Sequence, residues 1–455
     1  MTMINQNRQE NQLPQEIQAA FKELKVLHHL RQAGIKRNLG FACGYIFQIV
    51  FCLLFKHRNW FRMQESEHKH ADYPAKDAVY RFLNCPNFAW QRFLSALSSY
   101  AVAKVESLNN QTKISVLVVD DSAYARNRSK KVELLARCKD HTNNCYYKGF
   151  RMLTLGWSDG HTFIPTDFAM LSSRNACLHG MNETIDKRSS GYKRRLAALE
   201  KAPDVISEMI DRTLKSGVHA SYVLMDSWFT HAPLIRAVCQ RGLDVIGMVK
   251  ANNQRYQVNG EDLNLKELYK AAKINRSNKI GILRSITTTL SGDIPVKIVF
   301  VQHRNNKREW LAILSTDVTL DEEEIIRIYG IRWDIETFFK CTKSLLQLGK
   351  EFQGRNFDML ISHTTIVFAR YIMLSWQHRQ QGDDRSLGGL FLVMCDELAD
   401  MDWVAALTQL LEILNGVAEK ANKRIAKFIN CQLSHWIAAL PNYIKVYLPI
   451  SFCES

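Results

Sequence analysis

Three carboxylates stand where the chain could do chemistry on a phosphate-rich substrate: Asp120, Asp226 and Glu336. The first follows the β-branched run Ile114-Ser-Val-Leu-Val-Val119, and the second follows Tyr222-Val-Leu-Met225. Short, continuously apolar runs of this kind make buried strands, and α/β sheets place their chemistry at the carboxyl ends of such strands. Glu336 lies in Tyr329-Gly-Ile-Arg-Trp-Asp-Ile-Glu-Thr-Phe-Phe-Lys-Cys-Thr-Lys343, preceded by the acidic helix-start signal Asp321-Glu-Glu-Glu324. On one helix, Tyr329, Arg332, Glu336 and Lys343 would fall within about 60° of each other, beside an apolar sector of Ile331, Ile335, Phe338, Phe339 and Leu345. The plainer reading is an amphipathic surface helix with an Arg332–Glu336 i,i+4 pair, and strand-end aspartates also serve as turn caps. Three convergent carboxylates would suit Mg²⁺, which takes oxygen ligands and keeps several waters; two ions can activate an attacking oxygen and stabilise a leaving one.

Composition sets the partner class. The chain has 455 residues, a net charge of +15 and a pI near 9.3. Such a protein attracts polyanions, nucleic acid before anionic membrane. Eleven scattered cysteines without a C-x-x-C pair argue for a reducing, cytoplasmic setting. Cys138, His141 and Cys145 are spaced for metal, but no second ligand pair at finger-like spacing accompanies them. The apolar run Phe41–Phe55 is short for a membrane span and carries Gly44 and Gln48, so it reads as a buried helix and no membrane partner is expected. Ser227 and His231 are neighbours, but no nucleophile elbow surrounds them.

In order, the chain reads as a helix from about Gln15 to Leu39, the apolar run, and two short helices about Pro86-Asn87, with Lys76, Arg81 and Arg92 exposed as for DNA-backbone contact. Residues 1–105 are therefore expected to form a helical DNA-binding domain. Strands ending at Asp120 and Asp226, with others over 150–156, 162–170 and 243–249, place an α/β core in 106–350. Residues 253–317 are β-rich, with turns at Ser291-Gly-Asp293 and Asn305-Asn-Lys307. The remainder, 351–455, reads as helical, serving dimerisation or DNA contact.

The spacing Tyr329-x2-Arg332-x3-Glu336-x6-Lys343 resembles the Tyr-Arg-Glu-Lys signature of a bacterial family of DDE transposases, the family named after insertion sequence four. Val-Val-Asp120-Asp-Ser122 and Leu-Met-Asp226-Ser-Trp-Phe229 are similar to its two aspartate blocks. The resemblance runs from about Lys113 to Leu348. It implies a ribonuclease-H-like catalytic core interrupted by a β-rich insertion and flanked by helical domains. It implies Asp120, Asp226 and Glu336 as catalytic ligands of Mg²⁺, with Mn²⁺ as a substitute. Tyr329, Arg332 and Lys343 would hold phosphates, and Trp333 would handle an unstacked base or simply pack in the core. The implied partners are double-stranded DNA (transposon ends and target) and a second copy of the chain, in the bacterial cytoplasm at the nucleoid. Asp121 also fits the first block; Asp120 is favoured because it leaves an Asp-x-Ser pattern, and adjacent strand residues point to opposite faces. The alternatives are a metal-dependent nuclease without strand transfer and a DNA-binding regulator with an inactive core.

Overall fold

The computed structural model describes residues 15–56, 59–65, 73–108, 114–140, 144–274, 281–291, 293–303, 306, 308–381, 386–420 and 422–439. Its first elements are helices: α1 (Gln15–Glu23), α2 (Val26–Gln32), α3 (Cys43–Leu53), α4 (Trp60–Glu65), α5 (Lys76–Leu83) and α6 (Trp90–Ser107). The single helix expected from Gln15 breaks at Lys25, whose backbone is left-handed at φ 48°. Leu24 and Val26 are both buried, and on a continuous helix they would point to nearly opposite sides. The break turns both inward. The apolar run forms α3, which is almost wholly buried, with Phe51 edge-on to Phe21 at 4.8 Å between ring centroids. Lys76, Arg81 and Arg92 are exposed, but α6 is longer than expected and packs against the sheet and a long later helix.

The strands that follow are β1 (Val116–Ala125), β2 (Ala136–Asp140), β3 (Cys145–Ser158) and β4 (Phe163–Leu171). Helices α7 (Ser190–Ala197) and α8 (Ala202–Lys215) lead to β5 (Tyr222–Met225), α9 (Ala232–Cys239) and β6 (Asp244–Val249). Next come β7 (Tyr256–Val258), β8 (Glu261–Leu263), α10 (Leu265–Ala271), β9 (Lys273–Ile274), β10 (Ile282–Leu290), β11 (Ile294–Gln302) and β12 (Trp310–Ser315). The chain closes with α11 (Glu322–Gly330), α12 (Trp333–Ser344), α13 (Phe357–Gln381), α14 (Leu387–Lys420) and α15 (Lys423–Ala439).

All the strands join one twelve-stranded sheet, whose main path runs β2-β3-β1-β5-β6-β12-β11-β10-β7-β8. β1, β5 and β6 are mutually parallel, while β3 flanks β1 antiparallel and carries β4. The β-rich segment extends this sheet through β12, which pairs antiparallel with β6. β1 does not end at Asp120, as its apolar run suggested. It continues to Ala125 because β3 pairs with it along its whole length.

One hydrophobic core runs from Ile17 through the sheet to Leu398. α13 crosses its middle, packing on α3, α5, α6 and β4. It is long and apolar enough to cross a membrane by composition, but that stretch is entirely buried in protein. A buried ionic cluster anchors it. Arg370 on α13 donates to the carbonyls of Val50 (2.6 Å) and Phe51 (3.0 Å), orphaned acceptors in the last turn of α3. The same guanidinium bonds Glu351 at 2.7 Å, and His363 lies 2.8 Å from that carboxylate. Burial alone would raise the Glu351 carboxyl; Arg370 and His363 outweigh it and hold it down at about 2. Its contribution to stability is therefore present above the ordinary carboxylate range and lost only as pH falls towards 2. Glu351→Ala would strand a buried guanidinium, and chemical denaturation at pH 7 should show a loss of about 3 kcal/mol or more; an unchanged midpoint would contradict this role.

Candidate active site

Register alone brings the first two carboxylates together. Val119 of β1 pairs with Met225 of β5, so Asp120 and Asp226, one residue further on, are neighbours about one strand spacing apart. Here β5 stops. Asp226 turns the chain: its Oδ1 accepts the N–H groups of Trp228 (2.9 Å) and Phe229 (3.3 Å), and its carbonyl accepts the Thr230 hydroxyl at 2.7 Å. The turn is seated by buried Phe229 and by Gly247 of β6, where a Cβ would come within 2.3 Å of the Thr230 hydroxyl oxygen. The second oxygen of Asp226 has no hydrogen-bond donor among the described residues. Asp120 is 8% exposed; its Oδ1 accepts its neighbour's N–H at 2.8 Å. Asp121 is paired instead with Arg151 of β3.

The third carboxylate arrives on α12. Asp321 caps α11, accepting the Glu324 N–H at 2.7 Å. The continuous helix expected through Lys343 is interrupted at Ile331-Arg332 by i→i−3 hydrogen bonds, including Arg332 N–H to Tyr329 carbonyl at 3.0 Å, a tight 3₁₀-type turn. Ser158, at the end of β3, donates to Asp334 at 2.6 Å and fixes the start of α12. Further along, Phe338 is fully buried, with its ring centroid 4.7 Å from Tyr371 and 4.9 Å from Phe368 on α13. The exposed edge then presents Glu336.

Arg332 joins the strands to the helix. Its Nη1 donates to Asp120 Oδ2 at 3.0 Å and its Nη2 to Glu336 Oε1 at 3.2 Å. Lys343 donates to the Ser122 hydroxyl on β1. Around them opens a cleft of about 820 Å³ lined by Asp120, Asp121, Asp226, Glu336, Arg332 and Lys343, among others. Burial first, then Asp226, pushes the Asp120 carboxyl up to about 7 despite Arg332. Burial likewise raises Asp226 and lowers Lys343. Tyr329 lies against Arg332, its hydroxyl buried without a well-formed hydrogen bond, and burial pushes it up to about 12.

Of the site residues singled out in the sequence, Tyr329 and Trp333 do not line the cleft. The Tyr329 hydroxyl is buried, whereas Trp333 is 68% exposed and so is no core residue. Trp228 was missed; it is 49% exposed, lines the cleft, and has Lys250 Nζ 6.0 Å from its ring centroid. Its place two residues after Asp226 was a usable signal. Lys250 and Lys340 also line the cleft, and nothing in their local sequence marks them. Cys138 is buried on β2 and Cys145 exposed at the start of β3, while His141 lies outside the described residues.

Two family models match. The model of a DDE superfamily endonuclease covers residues 65–262, and that of a transposase DDE domain covers 195–373. The chain is similar to DDE transposases. The first match includes Asp120 and Asp226; the second includes Asp226, Glu336 and Tyr329 to Lys343. No curated protein matches the chain. A transposase domain implies DNA as a partner, and DDE enzymes usually use divalent metal.

The donor set fits such a metal by chemistry: hard carboxylate oxygens, one with no donor, and a resident guanidinium standing as a cation on two of the three groups. The side chains are not posed around a common point, and among the described residues no cluster is arranged to hold an ion. Because the folded Asp120 carboxyl sits above its unfolded value, its ionisation costs stability as pH rises from the ordinary carboxylate range through about 7. In EDTA, Asp120→Asn should raise Tm by a few degrees at pH 8 and by much less at pH 5. Equal shifts at both pH values would mean that Asp120 is not raised by its site.

Proposed function

We propose that the chain is a transposase that binds the terminal inverted repeats of its own element, cuts DNA there and joins the 3′-OH ends to target DNA. The observation that carries this reading is the adjacency of Asp120 and Asp226, with Glu336 tied to Asp120 through Arg332, in a cleft that also carries lysines and arginines. Matches to an endonuclease and a transposase model support the reaction class. The order β3-β1-β5-β6, with β1, β5 and β6 parallel, supports a ribonuclease-H-like core carrying a β-rich insertion after β6.

In this mechanism Asp120, Asp226 and Glu336 would hold the metal, Mg²⁺ or Mn²⁺, whose chemistry there would be activation of the attacking oxygen and charge stabilisation of the leaving one. The protein's own groups position the DNA. Arg332 and Lys343, with Lys340 and Lys250 on the cleft wall, bind the phosphates flanking the scissile bond. Tyr329 packs behind Arg332 and sets its direction. Trp333 and Trp228 offer exposed ring faces on which a base can stack. Two copies would act together on two ends, and the C-terminal helices, with Leu410, Ile413, Val417, Ile425 and Phe428 exposed, offer an apolar face for that pairing.

The endonuclease match keeps one alternative in view, cleavage without joining. Purified protein is incubated with Mg²⁺, a target plasmid and DNA flanking the reading frame. Cleaved ends joined to the plasmid are expected; cleaved ends alone would establish the nuclease. Glu336→Gln should bind the same DNA with near-normal affinity in a mobility-shift assay and lose cutting by orders of magnitude. A Glu336→Gln protein that still cuts in Mg²⁺ would remove Glu336 from the site.

A further inference from the structure

Arg332 occupies an unusual place for a residue assigned to DNA phosphates. It is 16% exposed and its two terminal nitrogens are on Asp120 Oδ2 (3.0 Å) and Glu336 Oε1 (3.2 Å), oxygens that would ligate metal. Arg151 is paired with Asp121 and Lys343 with Ser122, so among the described cations of the cleft it is Arg332 that is hydrogen-bonded to these oxygens. We propose that Arg332 is a resident cation that closes the carboxylate site in the DNA-free protein, so that divalent metal and DNA bind cooperatively through its displacement. This rests on the reading of Asp120, Asp226 and Glu336 as metal ligands.

A divalent ion brought to these carboxylates competes with the guanidinium, which already occupies one oxygen of Asp120 and one of Glu336 and is repelled by a second cation at that range. Metal entry therefore favours the departure of Arg332, and leaving into the cleft without a partner would forfeit two charge-assisted hydrogen bonds. A DNA phosphate supplies the replacement, since its paired oxygens match the guanidinium fork as well as carboxylates do. The side chain needs only to swing about its own stem, and the cleft beside it is open. Metal alone meets a competitor, and DNA alone meets an arginine already engaged. Together each removes the other's obstacle. By linkage, whatever factor DNA adds to metal affinity, metal adds to DNA affinity.

Free Mn²⁺ is followed by electron paramagnetic resonance as it is titrated with protein. Wild type, Arg332→Gln and Glu336→Gln are each measured with and without a duplex copied from the DNA flanking the reading frame. Arg332→Gln should bind Mn²⁺ about tenfold more tightly than wild type without DNA, and DNA should tighten wild-type Mn²⁺ binding by about the same factor while leaving Arg332→Gln unmoved. Weaker or equal binding by Arg332→Gln without DNA would overturn the proposal. So would a wild-type affinity indifferent to DNA, a measurement that needs no variant to fold. Glu336→Gln separates the two levels: if it binds Mn²⁺ as wild type does, the metal-site reading itself fails, and with it this inference.

Discussion

Two carboxylates held side by side on parallel strands are the constraint around which the rest of this site is arranged. Asp120 and Asp226 share a register, so no side-chain rotation can take them far from one another. Burial makes that proximity expensive, and Asp120 responds by holding its proton up to about pH 7. The surroundings supply what relief there is. Backbone N–H groups of the turn after β5 cover one oxygen of Asp226, and Arg332 covers one of Asp120. A site that must be relieved by positive charge is one prepared to receive it.

The distant helices bear on this directly. α12 can deliver Arg332 and Glu336 only because its apolar side is clamped by α13, through Phe338 against Phe368 and Tyr371. α13 in turn is locked to α3 by Arg370, and the link from α12 to α13 is held at Glu351 by the same guanidinium. A second buried cluster, Arg194 and Arg195 with Glu133 and Asp358, ties α7 and the chain after β1 to the first turn of α13. Buried ion pairs contribute little net stability compared with apolar packing, but they accept few alternative geometries. Their use at both ends of the link into α13 fits a scaffold that must place α12 accurately on the sheet.

Much of this could be read before the fold was known, where the signal was local. The β-branched runs before Asp120 and Asp226 declare strands, and the spacing from Tyr329 to Lys343 declares a polar stripe beside a greasy one. What escaped was set by partners remote in sequence. β1 outruns Asp120 because β3 pairs with it, which the polar sequence Asp121-Ser122 conceals. The break at Lys25 carries no glycine and follows from burying Leu24 and Val26 together. Lys250 and Lys340 look like any surface lysine until β6 and α12 set them on one cleft. Trp333 and Trp228 show the same point from both sides, since aromatic type reveals neither exposure nor which cleft a ring borders.

The charge of the site itself is the less obvious consequence. The chain carries 60 lysines and arginines against 45 aspartates and glutamates, yet its cleft is lined by Lys139, Arg151, Lys250, Arg332, Lys340 and Lys343 together with Asp120, Asp121, Asp140, Asp226 and Glu336. Near-balance there means that the overall basic field draws a polyanion to the protein, but the cleft does not bind it by excess charge alone. On the proposed reading, binding in the cleft would require pairs to be exchanged, guanidinium from carboxylate to phosphate and carboxylate from guanidinium to metal, with each exchange assisting the other. Such a site would remain quiet on arbitrary DNA held at the surface and engage where the strand is presented so that both exchanges can occur at once.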